Sequence, residues 1–185
     1  NDTAEIRRQI SFMRECQLKI KKIFAICWGL QVAVTVAGGQ VKKSDKGAHR
    51  GIAHNINVNS IGSNHKIYLN KKRQFNSPAF NFDEVVKIPV GATLLSSNEL
   101  NNVMGLNFKT NKSDIWGIQY HPEITYEKMV SLIHFRKERL LNKGAFKDQD
   151  EINNHILMIE NEIKNTEKIS RMKELENWIN YLYEN

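Results

Sequence analysis

The chain has only two cysteines among 185 residues, Cys16 and Cys27. Two thiols do not make a disulfide framework, so the stapled secreted class is excluded and a reducing cytoplasm is the expected setting. No apolar run approaches the length that spans a bilayer, and the opening residues do not read as a signal peptide, so a membrane is not an expected partner. A glycine-rich phosphate loop followed by Lys-Ser or Lys-Thr is missing, so any nucleotide-driven chemistry belongs to another polypeptide. His49 and His54 have no cysteine or carboxylate companions at ligand spacing. Both read as solvated histidines, and neither a metal nor a cofactor is expected. Internal repeats and low-complexity linkers are absent as well, so residues 1–185 read as one domain.

What is present is ordinary in bulk, with 41% hydrophobic and 25% charged residues. The net charge of +7 comes from lysines scattered along the chain, the pattern of a solvated surface. Lys19–Lys22, Lys42–Lys46 and Lys71–Arg73 lack interleaved aromatics and belong to no nucleic-acid-binding motif, so nucleic acid is not an expected partner.

Apolar residues at Ile6, Ile10, Met13 and Ile20 recur at helical spacing, predicting an amphipathic helix from about Thr3 to Lys19. Asn1-Asp2-Thr3-Ala4-Glu5 reads as its N-cap, with a carboxylate placed for a capping box. Ile23–Ile26 then has the length and character of a strand buried on both faces, and Leu30–Ala37 reads as a helix closed by Gly38-Gly39. Residues 40–50 read as a basic surface loop. Strands are expected at Ile52–Val58, Lys66–Leu69, from Pro78, and at Ala92–Ser96, Val103–Phe108 and Ile115–Gln119. A helix over Tyr126–Leu141 should stop at Gly144. Two more follow, one carrying Ile152, Ile156, Ile159 and Ile163, the other Leu175, Trp178, Ile179 and Leu182, with a break near Asn165–Thr166. Helix, buried strand, helix is a piece of a doubly wound α/β sheet, whose sites lie at the carboxyl ends of its strands.

Cys27 stands between the Ile23–Ile26 strand and the following helix. A side chain there sits on a sharp turn above the sheet, where helix amides and dipole favour the nucleophilic thiolate. Ala25 and Gly29 flank it at elbow spacing, as small residues that let strand and helix approach. Cys16 lacks this pattern and reads as structural. A second signal lies in Gly117-Ile118-Gln119-Tyr120-His121-Pro122-Glu123, where His121 ends an apolar strand. Glu123, two residues on, points the same way in an extended segment, and can hold one imidazole nitrogen while the other serves Cys27 as general base.

The segments Ala25-Ile26-Cys27-Trp28-Gly29-Leu30-Gln31 and Tyr120-His121-Pro122-Glu123 together resemble the class-I glutamine amidotransferase family, in the subgroup of the glutaminase domain of GMP synthase. Ser77–Val85, Pro89-Val90-Gly91-Ala92 and Glu174-Leu175-Glu176-Asn177-Trp178 extend the resemblance from about Lys19 onward. It implies a flavodoxin-like doubly wound mixed sheet with extra C-terminal helices, residues 145–185 packing on the domain as an extension. It also implies a cytoplasmic glutaminase: Cys27 attacks the side-chain amide of glutamine, His121 moves the protons and Glu123 orients it. The Trp28 N–H donates to the oxyanion, and Gly29, Gln31, Asn81 and Phe82 contact substrate. Ammonia would pass to a synthetase partner.

Three departures qualify the likeness. Ala25 stands where the family usually has glycine, and Asn81 where close relatives often carry histidine. The family's second oxyanion donor comes from a glycine-containing loop upstream of the first helix, so the N-terminal strands are expected to be missing from these residues and their activity to be low. Two alternatives stand beside the glutaminase: a hydrolase of other γ-glutamyl conjugates, and a non-catalytic basic binding module.

Overall fold

A computed structural model describes residues 3–110 and 112–184; Asn1 and Asp2 of the expected cap lie outside them. Helix α1 (Ala4–Lys19) starts at Thr3, whose hydroxyl accepts from the Ile6 N–H at 3.3 Å. Strand β1 (Lys22–Ile26) and helix α2 (Trp28–Val36) follow, as the apolar runs require. The expected loop after Gly39 instead holds strand β2 (Gln40–Lys43) and the start of β3 (His49–Val58). The short helix α3 (Ser60–Ser63) comes next, and Lys66–Tyr68 forms a 3-10 turn where alternation suggests a strand. His65 caps that turn, its Nδ1 accepting from the Ile67 N–H at 3.2 Å, which draws the backbone out of extension.

Strands β4 (Gln74–Asn81), β5 (Asp83–Lys87), β6 (Thr93–Ser97), β7 (Gly105–Lys109) and β8 (Asp114–Ile118) complete the β-rich middle. Helix α4 (Tyr126–Asn142) ends at Gly144, whose φ of 64° is the left-handed closure glycine favours. Helix α5 (Gln149–Asn165) stops at the expected break, and α6 (Lys168–Arg171) and α7 (Lys173–Leu182) follow.

The main sheet has the order β1-β8-β7-β6-β3-β4, and β2 pairs with β5 in a separate ribbon. Only β1 and β8 run parallel; the other pairs in the main sheet are antiparallel. This is a mixed, curled α/β sheet with helices on its faces. Because β1 ends the order and pairs only with β8 among the described residues, its residues are mostly half-buried rather than fully buried; Ala25 alone is closed off.

Alternation along β1 and β8 feeds two cores. Ala25 and Ile115 pack with Leu30, Ala33 and Val34 of α2, while Trp116 and Ile118 pack on the other face with Trp178 of α7 and Tyr68. A third core joins Ile52 of β3 to Ile133 of α4 and Ile152, Ile156 and Ile159 of α5. There Gly51, at φ 109°, lets α5 close on β3, since a Cβ would lie 2.8 Å from Ile159. At Gly117 a Cβ would meet Leu30 Cδ1 at 2.3 Å. That glycine sets how closely α2 lies on the sheet. Each fully buried Leu or Ile in these cores contributes about 1.5–3 kcal/mol.

Candidate active site

Cys27 extends the parallel pairing of β1 by one residue, its backbone N–H donating to the Ile118 carbonyl at 2.7 Å. The chain then turns sharply: Cys27 has φ 49° and ψ −105°, and α2 begins at the next residue. Such backbone is rare for a residue with a Cβ and costs on the order of 1–3 kcal/mol. It is held by that sheet bond and by the Gln31 N–H, which donates to the Cys27 carbonyl at 3.1 Å. The Trp28 N–H, first in the helix, has no intrahelical partner. The expectation that Gly29 makes room for the strand is corrected, because a Cβ there would meet nothing within 4 Å; close approach is needed at Gly117 instead.

His121 is anchored beyond β8, its N–H donating to the Pro78 carbonyl at 2.7 Å. The next residues form a turn rather than an extended segment, closed by the Ile124 N–H on the His121 carbonyl at 3.2 Å. Within that turn Glu123 Oε1 lies 2.6 Å from His121 Nδ1. Burial disfavours the charged ring, yet hydrogen bonds to Cys27 and Glu123 and the charges of both push its pKa up to about 9. His121 is therefore an imidazolium at neutral pH. Cys27, His121 and Glu123 thus come together from residues far apart in sequence.

Gln119 joins them unforeseen. Its Nε2 donates to Cys27 Sγ at 3.4 Å, and its Oε1 accepts from Gln31 Nε2 at 3.2 Å. Gln31 also donates to the Asp83 carbonyl at 2.9 Å, so both amides are buried and immobilised beneath the thiol. Gln119 lies two residues before His121, and that spacing after a strand was the available signal.

A cavity of about 230 Å³ opens at Cys27 and is lined in part by Trp28, Gln31, Asn81 and Phe82; His121, Glu123 and Gly29 do not line it. Asn81 is held from behind. Its Oδ1 lies 2.9 Å from His49 Nδ1, its Nδ2 donates to the Asp83 carbonyl at 3.0 Å, and Asn98 Nδ2 lies 2.9 Å from His49 Nε2. His49 is therefore not solvated but 1% exposed. Two amides fix it as the neutral Nδ1–H tautomer, and burial holds its pKa below the ordinary range.

The C-terminal helices grip the His121 turn. Arg171 donates to the carbonyl of Pro122 and, at 2.9 Å, to that of Ile124. Glu174 accepts from the Tyr120 hydroxyl at 2.7 Å and from Lys71 at 2.9 Å, and Tyr120 continues to Tyr68 and Ser96. Glu174, Asn177, Trp178 and Tyr181 follow one helix face, so polar residues set among apolar ones at helical spacing were the legible sign.

A family model described as class-I glutamine amidotransferase matches residues 1–138. The chain belongs to that family. Within it, the chain is 30% identical over 142 residues to a γ-glutamyl-L-1-hydroxyisopropylamide hydrolase from a Pseudomonas species, covering 75% of this chain and 48% of that protein. It is 28% identical over 104 residues to a glutamine-hydrolysing GMP synthase subunit from Methanocaldococcus jannaschii, covering 56% of this chain and 52% of that one. The chain thus spans about half the length of these curated relatives. A glutamine amidotransferase from Thermotoga maritima superposes with a TM-score of 0.71 at 18% identity, over 97% of this chain and 70% of that one, a likeness of fold. Among the described residues no helix is long and apolar enough to cross a membrane.

Proposed function

We propose that this chain carries a glutaminase site in which Cys27 is the nucleophile, His121 the acid and base, and Glu123 the residue that orients His121. The observation that supports this most is the strained elbow at Cys27, beside an imidazole whose Nδ1 rests on a carboxylate. The thiolate adds to the side-chain amide carbon of glutamine, and the carbonyl oxygen takes the charge. The Trp28 N–H is the oxyanion donor, a role worth about 3–4 kcal/mol. His121 then gives its proton to the amide nitrogen; the carbon–nitrogen bond breaks, ammonia leaves and a thioester remains. Neutral His121 next takes a proton from water, hydroxide adds to the thioester carbon, the carbon–sulfur bond breaks and glutamate departs. Gln31, Asn81 and Phe82 line the seat of the substrate, and Gly29 contributes only through its backbone. The acceptor of ammonia is a synthetase on another polypeptide, a reading that the Methanocaldococcus relative supports. Helices α5 to α7 belong to the same folding unit as the sheet.

A second reading keeps the chemistry and changes the amide: a γ-glutamyl conjugate other than glutamine. The Pseudomonas relative supports it, as do Arg136, Arg139 and Lys143, which also line the cavity. The test of the shared reading is covalent. A chloroketone analogue of glutamine should alkylate Cys27, as located by peptide mass analysis, and glutamine should block it. Replacing His121 by Ala should slow it about 10²–10⁴-fold. Alkylation elsewhere, or at Cys27 with no protection by glutamine, would leave only the fold in common with the family.

A further inference from the structure

The cavity at Cys27 continues into a larger groove of about 1000 Å³, the two sharing Trp28, Gln31, Phe82, Asp83, Arg139 and Lys143. The charges along this joined space are unequal. Arg136, Arg139 and Lys143, from α4 and its C-terminal end, face the cavity, and Lys42 and Lys43 of β2 line the groove. The carboxylate among the lining residues is that of Asp83 alone. Among the described residues none of the five cations makes an ion pair within 4.0 Å; Arg136 is seated over the Phe80 ring, 5.5 Å from its centroid.

Glutamine engages only part of such a surface. It is a zwitterion, whose one carboxylate and one ammonium need one cation and one anion. Asp83 and a single cation would satisfy it, leaving the other four cations of the cavity and groove facing solvent. A conjugate whose amine portion carries its own carboxylate, a γ-glutamyl amino acid or peptide, brings the further negative charge. The groove gives that portion room to extend away from Cys27.

We propose, on the basis of the Cys27 site and the second substrate reading described above, that the site favours γ-glutamyl amides with an anionic amine portion over uncharged ones, selected by Arg139, Lys143 and the β2 lysines. Arg139 and Lys143 are exposed, so their attraction is of the screened, surface kind. It should amount to about two- to fivefold per charge engaged and be sensitive to salt.

The experiment measures protection of Cys27 in the full chain against the chloroketone analogue of glutamine. The competitors are γ-glutamylglycine and its uncharged counterpart γ-glutamylglycinamide, which differ in one carboxylate. At low ionic strength the acid should half-protect at about five- to tenfold lower concentration than the amide, and the gap should close to within about twofold near 1 M salt. The paired substitution Arg139→Gln and Lys143→Gln should narrow the same gap without salt. Equal protection by acid and amide at low salt overturns the proposal and leaves the glutaminase reading standing. So does a gap that neither salt nor the paired substitution changes. If the chloroketone fails to modify Cys27 at all, the site reading falls and this proposal falls with it.

Discussion

Tyr120 and His121 are neighbours in sequence, yet each begins a different polar cluster. The Tyr120 cluster is buried: Glu174 and Lys71 form an ion pair at 0% and 2% side-chain exposure, tied through Tyr120 to Tyr68 and Ser96. The His121 cluster lies at the surface, its ion pair with Glu123 having 19% and 37% side-chain exposure. Both pair a carboxylate with a cation, but the surroundings assign them different work. In the buried cluster a charge without its partner is costly, so the pair fixes where α7 sits. In the exposed one, solvent tolerates either protonation state, so the ring can exchange a proton during a reaction. Arg171 joins the two, holding the turn between them by its carbonyls.

The comparison is broken most forcefully at Glu174. Glu174→Ala strands the Lys71 ammonium, which burial already pulls below the usual lysine range, and should cost about 3–5 kcal/mol in urea unfolding. His121→Ala should do the opposite. It should change stability by less than about 1 kcal/mol, as expected for a half-exposed pair, while slowing alkylation of Cys27 about 10²–10⁴-fold. If both substitutions affect only stability, the two clusters are alike and His121 is not a proton carrier. Arg171→Ala lies between them. It removes two hydrogen bonds from a charged donor, so a stability loss of about 1.5–3 kcal/mol is expected, together with slower alkylation as the turn loosens. The loss of rate should persist under conditions where the variant is fully folded; a rate restored there would make Arg171 purely structural.

A smaller effect separates the clusters by pH. Burial lowers the folded pKa of His121, but hydrogen bonding and charge from Cys27 and Glu123 carry it from 6.5 to about 9, so their interactions with the ring contribute stability in full below pH 6.5. That contribution is lost as pH rises through about 9. In Glu123→Gln the loss should come at lower pH, as read by unfolding and by the imidazole proton resonances of His121. An unchanged titration would mean that Glu123 does not hold the ring.

Much of this site was legible because its residues are adjacent to signals of chain direction. Cys27 stands between an apolar run and a helix start, and His121 and Glu123 follow the end of another run, so period and punctuation brought them forward as candidates and the family resemblance joined them. The fold class followed from the same runs, and α4 and α5 ended where Gly144 and Thr166 indicated. What stayed hidden was made by contacts between distant segments. Gln119 is one polar residue among apolar ones until the fold sets it under the sulfur. Residues 66–69 alternate like a strand, and the His65 side chain, with backbone bonds from Tyr68 and Leu69, holds them in a turn instead. The basic run at 40–43 becomes a strand because β5 is there to pair with it. The cations of α4 are spaced as an ordinary solvated face, and their relation to Cys27 exists only after α4 packs against β3 and β4.

His49 gives the finest test of that last kind of information, since in sequence it resembles any exposed histidine. Its two ring nitrogens face amides, Asn81 on one side and Asn98 on the other, which suits the neutral ring alone. Burial lowers its pKa, opposed in part by the Asn81 hydrogen bond, with a small contribution in each direction from His54 and Glu84. A base whose pKa is lowered on folding contributes stability above its ordinary value of 6.5, and that contribution is lost as pH falls through the lowered one. His49→Gln can still meet one amide but carries no proton to gain, so the acid-side loss should shrink. Asn81, no longer fixed from behind, should then let glutamine protect Cys27 about two- to tenfold less well, the worth of one or two neutral hydrogen bonds. An acid-side loss that is unchanged would move the acid sensitivity to another group. Unaltered protection would mean that Asn81 lines the cavity without holding the substrate.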